Sequence, residues 1–165
     1  MPLRSVPVKQ ADLLTAFVNY LIANVAVTPP LTEMTCFLSL HPFPPKIAVS
    51  DIFVMVCPQD GQFPSEQLDG GMCHEDTTVL IKIVSRVLLD EVGADVFRLT
   101  HSSLGMIEMK SAVLKAVTNK AFQVGGNDVL RNLLFPIDTR IQQTEDETLG
   151  QIVLPVALSF DHDLS

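Results

Sequence analysis

Between Gln10 and Asn24 the apolar residues recur at steps of three and four: Leu13, Leu14, Phe17, Val18, Leu21 and Ile22, continued by Val25. At 3.6 residues per turn they form one broad stripe, so the spacing predicts an amphipathic helix over 10–24. Asp12 leads or caps it, and Pro29-Pro30 ends any continuation. Toward the other end of the chain the period changes to two. Ile152, Leu154, Val156, Leu158 and Phe160 fall on one side of a strand over 151–160, and Val153, Pro155, Ala157 and Ser159 on the other. Pro155 has no N–H to give a ladder, which places this strand at a sheet edge or beside a bulge.

The chain between these two segments is more mixed. Residues 35–41 and 47–57 read as extended. The second, IAVSDIFVMVC, is rich in β-branched and aromatic residues and has the character of a central strand. His41-Pro42-Phe43-Pro44-Pro45 joins them stiffly, and Pro58-Gln59-Asp60-Gly61 signals a turn. A polar loop over 58–76 follows, with Asp69-Gly70-Gly71 near its middle. Residues 77–90 (TTVLIKIVSRVLLD) fit both periods, and their β-branched content favours a strand. Ser103 can cap a helix over 104–122 with Leu104, Ile107, Leu114, Val117 and Ala121 near one face. Lys110 and Lys115 lie toward the other, and Lys120 sits in the last turn. Gly125-Gly126-Asn127-Asp128 breaks the chain. Residues 130–142 are extended with Pro136 interrupting them, and a loop over 143–150 carries Glu145-Asp146-Glu147. This order predicts an α+β fold: a mainly antiparallel sheet with two main helices packed on one face. Residues 1–9, with two prolines and no periodicity, form an extended arm on a single domain over 10–165.

Composition narrows the function classes. In 165 residues, 47% apolar content argues against disorder, and 18% charged content falls below the usual quarter, so some surface is expected to be covered by partner chains. Eleven Lys and Arg against 19 Asp and Glu give a net charge of −8. Such a chain has no electrostatic grip on phosphates, and with no Trp and one Tyr it lacks platforms for stacking bases. No apolar run reaches the length of a membrane-spanning helix, and MPLRSVPVKQ lacks the apolar core of a signal peptide. Cys36, Cys57 and Cys73 do not form a disulfide framework, which suits a reducing interior.

Chemistry-bearing clusters are sparse. Cys73-His74-Glu75-Asp76 is the densest set of ligand types, but metal sites draw on separated pairs and neighbouring side chains diverge, so a solvated loop is expected there. Cys36 and Cys57 read as small buried hydrophobes. His41, His74, His101 and His162 belong to no catalytic or nucleotide-binding motif, and Gly70-Gly71 and Gly125-Gly126 lack the Lys of a phosphate cradle. Asp161 and Asp163, beside His162, read as an acidic tail. No metal or cofactor is expected, and no residue set nominates a reaction.

The organisation as a whole does resemble a known group. An N-terminal amphipathic helix leads to a strand followed by Pro-Gln-Asp-Gly. A long loop, the strand TTVLIKIVSRVLLDE, the helix SSLGMIEMKSAVLKAVTNKAF and the closing segment LGQIVLPVALSFDHDLS come after it. Over about residues 10–160 this order resembles the small neck proteins of tailed bacteriophages and prophages, especially tail terminator and tail-completion (head–tail joining) proteins. The Pro-rich connection at 42–45 and Pro155 depart from it. The resemblance implies a non-catalytic ring, commonly a hexamer, that caps the tail tube and joins it to the head connector. It implies a place in the virion neck after assembly in the host bacterial cytoplasm. The implied partners are further copies of the chain, the tail tube protein and the connector, with DNA passing through the lumen and no membrane. The acidic charge suits such a conduit, because it discourages DNA from sticking. Asp69, Glu75, Asp76, Glu145, Asp146 and Glu147 are the candidate lumen or layer-facing acids, and Pro155 marks the candidate pairing edge. A small cytoplasmic enzyme or ligand-binding α+β domain is the alternative.

Overall fold

The computed structural model describes residues 9–39, 52–62, 74–87, 106–124, 127–133, 138–143 and 148–161. The predicted first helix is present as α1 (Gln10–Asn24), burying Leu13, Leu14, Phe17, Val18, Tyr20 and Leu21. The alternating closing segment is β8 (Thr148–Asp161). Its residues Ile152, Leu154, Val156, Leu158 and Phe160 are all buried, as period two requires.

Between them run β1 (Cys36–Leu38), β2 (Ile52–Gln62), β3 (His74–Val87) and α2 (Met106–Asn119). A short pair follows, β4 (Gln123–Val124) with β5 (Asn127–Asp128), joined through Gly125-Gly126. Then come β6 (Leu130–Leu133) and β7 (Asp138–Gln143). The sheet runs β1-β2-β3-β8-β6, and β7 shares the same flank of β8 as β6. Every pairing is antiparallel except β1 with β2. With two helices beside a mostly antiparallel sheet, the α+β class holds.

The core follows from alternation. Val54 and Val56 of β2, Val79, Ile81 and Ile83 of β3, and the five buried apolar residues of β8 lie on one side of the sheet. They join the apolar residues of both helices in a single cluster. Each fully buried aliphatic side chain there contributes about 1.5–3 kcal/mol. Three aromatic rings tie α1 to the end of α2: Phe122 lies 5.1 Å from both Phe17 and Tyr20. The Tyr20 hydroxyl donates its proton between the carbonyls of Ala116 and Lys120, at 2.7 and 2.6 Å. The Ala116 carbonyl also accepts the Lys120 N–H at 3.1 Å, so the tyrosine is a second donor there, at the end of the helix.

Three expectations are corrected. First, the inward face of α2 matches the expected stripe only in part: Val117 is buried and Leu114 packs against the core, but the rest of the face is shifted. Met109, Val113, Ala116 and Val117 are buried, whereas Ile107 is exposed, Leu114 only half-buried and Ala121 exposed. Ile107 precedes Met109 by two residues, about 200° around the helix, so the two cannot share a buried stripe. Leu104 and Ser103 lie outside the described residues. Second, Pro58-Gln59-Asp60-Gly61 is not a turn. The chain stays in β2, and the register slips because Pro58 pairs with Val79 and Gly61 with Thr77. Two residues thus oppose Thr78 alone, which is a β-bulge. The polar loop is correspondingly shorter, because β2 extends to Gln62 and β3 begins at His74.

Third, of the two places expected for Pro155, an edge or a bulge, the edge is excluded, because β8 is not an edge strand. It is flanked by β3 along its whole length and by β6 and β7 on the other side. The Ser159 N–H donates toward Val129 on the β6 side at 2.9 Å. By alternation the nitrogen of Pro155 points to that same side. There the partner changes from Leu133, opposite Val156, to Asp138, opposite Val153. The missing N–H of Pro155 therefore falls where one partner strand hands over to the next. An interior strand tolerates proline at such an irregularity.

Candidate functional site

With β8 enclosed, the sheet ends among the described residues in β6 and β7 on one side and, on the other, in β1, only three residues long. The Val54 N–H donates to the Thr35 carbonyl at 2.7 Å and the Ser39 N–H to the Val56 carbonyl at 2.9 Å. Thr35, Phe37 and Ser39 thus direct their backbone groups at β2, and Cys36 and Leu38 direct theirs away from it. The Cys36 N–H is used by the Thr32 carbonyl at 2.8 Å, inside a turn that the Thr35 hydroxyl also holds by accepting from the Thr32 N–H. The Cys36 carbonyl and both backbone groups of Leu38 remain directed outward from the end strand.

Apolar surface lies beside this edge. Among the described residues three large hydrophobic side chains are exposed: Met34 at 70%, Ile107 at 46% and Leu38 at 39%. Two of the three fall within five positions of each other at β1. Residues 34–39 (MTCFLS) carry no charge, and exposed Glu33 precedes them. An uncharged edge with apolar flanks is a template for another strand unless something blocks it.

The sheet face opposite the main core is different again. Phe53, Met55, Cys57 and Val84 are buried there, with Phe37 and Leu80 packed against them. The Phe37 and Phe53 rings stack at 6.0 Å. Lys82 stands in the middle of this face, opposite Met55 on one side and Val153 on the other, and is itself buried. Cys57 is opposite Leu80, one diagonal step from Lys82. Burial pushes the Cys57 thiol up, and the nearby Lys82 charge draws it partly back. Cys36, on the core side, is pushed up to about 12 by burial. Both thiols stay protonated at neutral pH and are poor nucleophiles.

The sequence-derived acids are dispersed. Asp69, Glu145, Asp146 and Glu147 lie outside the described residues. Glu75 and Asp76, expected on a loop, are instead strand residues of β3 opposite Phe160 and Ser159. Alternation sends them to opposite faces: Glu75 is buried and Asp76 exposed. A buried Glu75 cannot face a channel. Of Cys73-His74-Glu75-Asp76, Cys73 lies outside the described residues. Pro155 is half-buried inside the sheet, so it marks no pairing edge. Met34 and Leu38 belong to no sequence motif; the signal that points to them is the uncharged run MTCFLS in a short extended segment.

Among the described residues no helix is long and apolar enough to cross a membrane. No model of a known protein family matches the chain, and no curated protein matches it significantly.

Proposed function

We propose that the chain is a non-catalytic structural subunit of a phage-type neck ring. In this reading, copies of the chain close into a ring, commonly a hexamer, that caps the tail tube and joins it to the head connector in the virion. The observation that carries the reading is the order of elements on which the resemblance rests. Helix α1, strands β2 and β3, helix α2 and the closing strand β8 follow one another along the chain. Support also comes from a net charge of −8, which suits a passage that must not hold DNA, and from a low charged fraction, which leaves surface for partner chains. The uncharged end of the sheet at β1 supplies an element through which copies can pair.

Mass photometry at near-physiological salt, together with a duplex-DNA mobility shift at low salt, tests the reading. A closed oligomer far above 18.1 kDa that leaves the duplex unshifted is expected. A strict monomer, or tight salt-sensitive DNA binding, removes the reading and returns the chain to the ligand-binding or enzymatic class.

A further inference from the structure

We infer that the outward edge of β1 receives the N-terminal residues 1–8 of a neighbouring copy. The inference rests on the ring reading, and it specifies which surfaces meet. It starts from backbone groups of the end strand that point away from β2 and bond to no other described residue: the Cys36 carbonyl and the N–H and carbonyl of Leu38, flanked by exposed Met34 and Leu38 side chains. An added strand would bond to those groups and cover that apolar surface.

Residues 1–8 (MPLRSVPV) have the chemistry to occupy it. Leu3, Val6 and Val8 supply apolar side chains, and the four residues from Leu3 to Val6 lie free of proline between Pro2 and Pro7. That length matches the three residues of β1, and proline beside it is tolerated in an outermost strand. Charge points the same way. Arg4 and exposed Lys9 are two of the 11 Lys and Arg of the chain, and none of its 19 Asp and Glu precedes Asp12. Copies with a net charge of −8 repel one another. A basic, apolar arm is the part of one copy that meets an acidic neighbour favourably, and Glu33 sits next to the edge it would enter.

Leu38→Pro provides a clean probe, because it removes a donor directed away from β2 and leaves the β1–β2 hydrogen bonds in place. Mass photometry of the parent chain, Leu38→Pro and a variant lacking residues 1–8 is compared, with thermal melting followed by circular dichroism. The parent is expected as a closed oligomer, and both variants as monomers, no heavier than the 18.1 kDa of one full chain, that melt like the parent subunit. Should Leu38→Pro fold poorly, the double change Met34→Glu with Leu38→Glu alters only exposed side chains and is expected to weaken association at least tenfold. An oligomer that survives removal of residues 1–8 overturns the arm inference and leaves the ring reading standing. A monomeric parent overturns the ring reading itself. Oxidative cross-linking separates the remaining case. Copies carrying Val6→Cys are expected to link to copies carrying Leu38→Cys, giving a covalent dimer. A monomer-mass bond within one chain carrying both changes places the arm on its own edge and overturns the inference.

Discussion

The two faces of the central strands are built on opposite terms. Toward the helices, every inward position of β3 and β8 from Val79 to Ile83 and from Ile152 to Leu158 is aliphatic and essentially inaccessible. On the opposite face the same strands carry Thr78, Leu80, Lys82 and Val84, with Gln151, Val153, Pro155, Ala157 and Ser159 beside them. That second face is still partly buried, yet it holds a lysine at its centre. One face fixes the register of the sheet through volume alone, because a one-residue slip would drive its aliphatic set outward. The other can accept charge and half-exposure without disturbing the fold.

The sharpest way to break this contrast uses two neighbours in β8. Leu154→Asp places an unpaired carboxylate in the aliphatic core and is expected to unfold the domain, at a cost of several kcal/mol. Val153→Asp, one residue earlier, sits directly opposite Lys82 and is expected to stay folded at a cost of about 1 kcal/mol or less. Circular dichroism and urea melts of both decide it. If both variants unfold, the second face is as intolerant as the first.

Cys36 offers a second, smaller contrast. Its thiol is raised from an ordinary value of 9.0 to about 12 by burial on the core side. Below pH 9 both folded and unfolded chains keep the proton. Between about 9 and 12 the unfolded chain loses it first, so stability is fully present below 9 and falls as the pH rises toward 12. The fall from this group has a ceiling of about 4 kcal/mol. Cys36→Val is expected to make the alkaline decline shallower, measured by urea unfolding at pH 8 and pH 11. Tyr20, also raised by burial, accounts for part of what remains. An identical decline in parent and variant would remove Cys36 from the account.

The smallest effect belongs to the second face alone. Lys82→Met removes the positive charge that draws the Cys57 thiol down, so Cys57 alkylation is expected to require a higher pH. Lys82→Arg should leave that profile where it was. Iodoacetamide labelling followed by peptide mass spectrometry reads both, and an unmoved profile in Lys82→Met shows that the charge does not reach the thiol.

What was legible in the chain follows the strength of its periods. Residues 10–24 and 151–160 repeat cleanly, and the structure has those elements with those inward residues. The face of α2 was misread in part because Ile107 and Leu114 are as apolar as Met109 and Val113, so hydrophobicity alone did not choose between stripes. Pro155 suggested an edge because proline is usually excluded from a ladder. Nothing local reveals that two successive strands divide one flank of β8 and that the change of partner falls beside this proline. The bulge at 58–61 carries turn residues, and only pairing with β3 distinguishes a bulge from a turn. The candidate site was the least legible. Openness of the β1 edge is a property of sheet order, and sheet order depends on which distant segments meet.

That dependence has a consequence for how the chain is made. Among the described residues the longest ladder joins β3 to β8, with Val87 opposite Thr148 and His74 opposite Asp161. Its partners are separated by about 60 to 90 residues, and contacts of such separation are slow to form. On a ribosome adding about 5–20 residues per second, β3 emerges several seconds before β8 exists to cover its flank. Through that interval an aliphatic strand stands with no partner of its own on that side. A strand exposed for that interval is open to pairing with other chains, and slower synthesis lengthens the exposure.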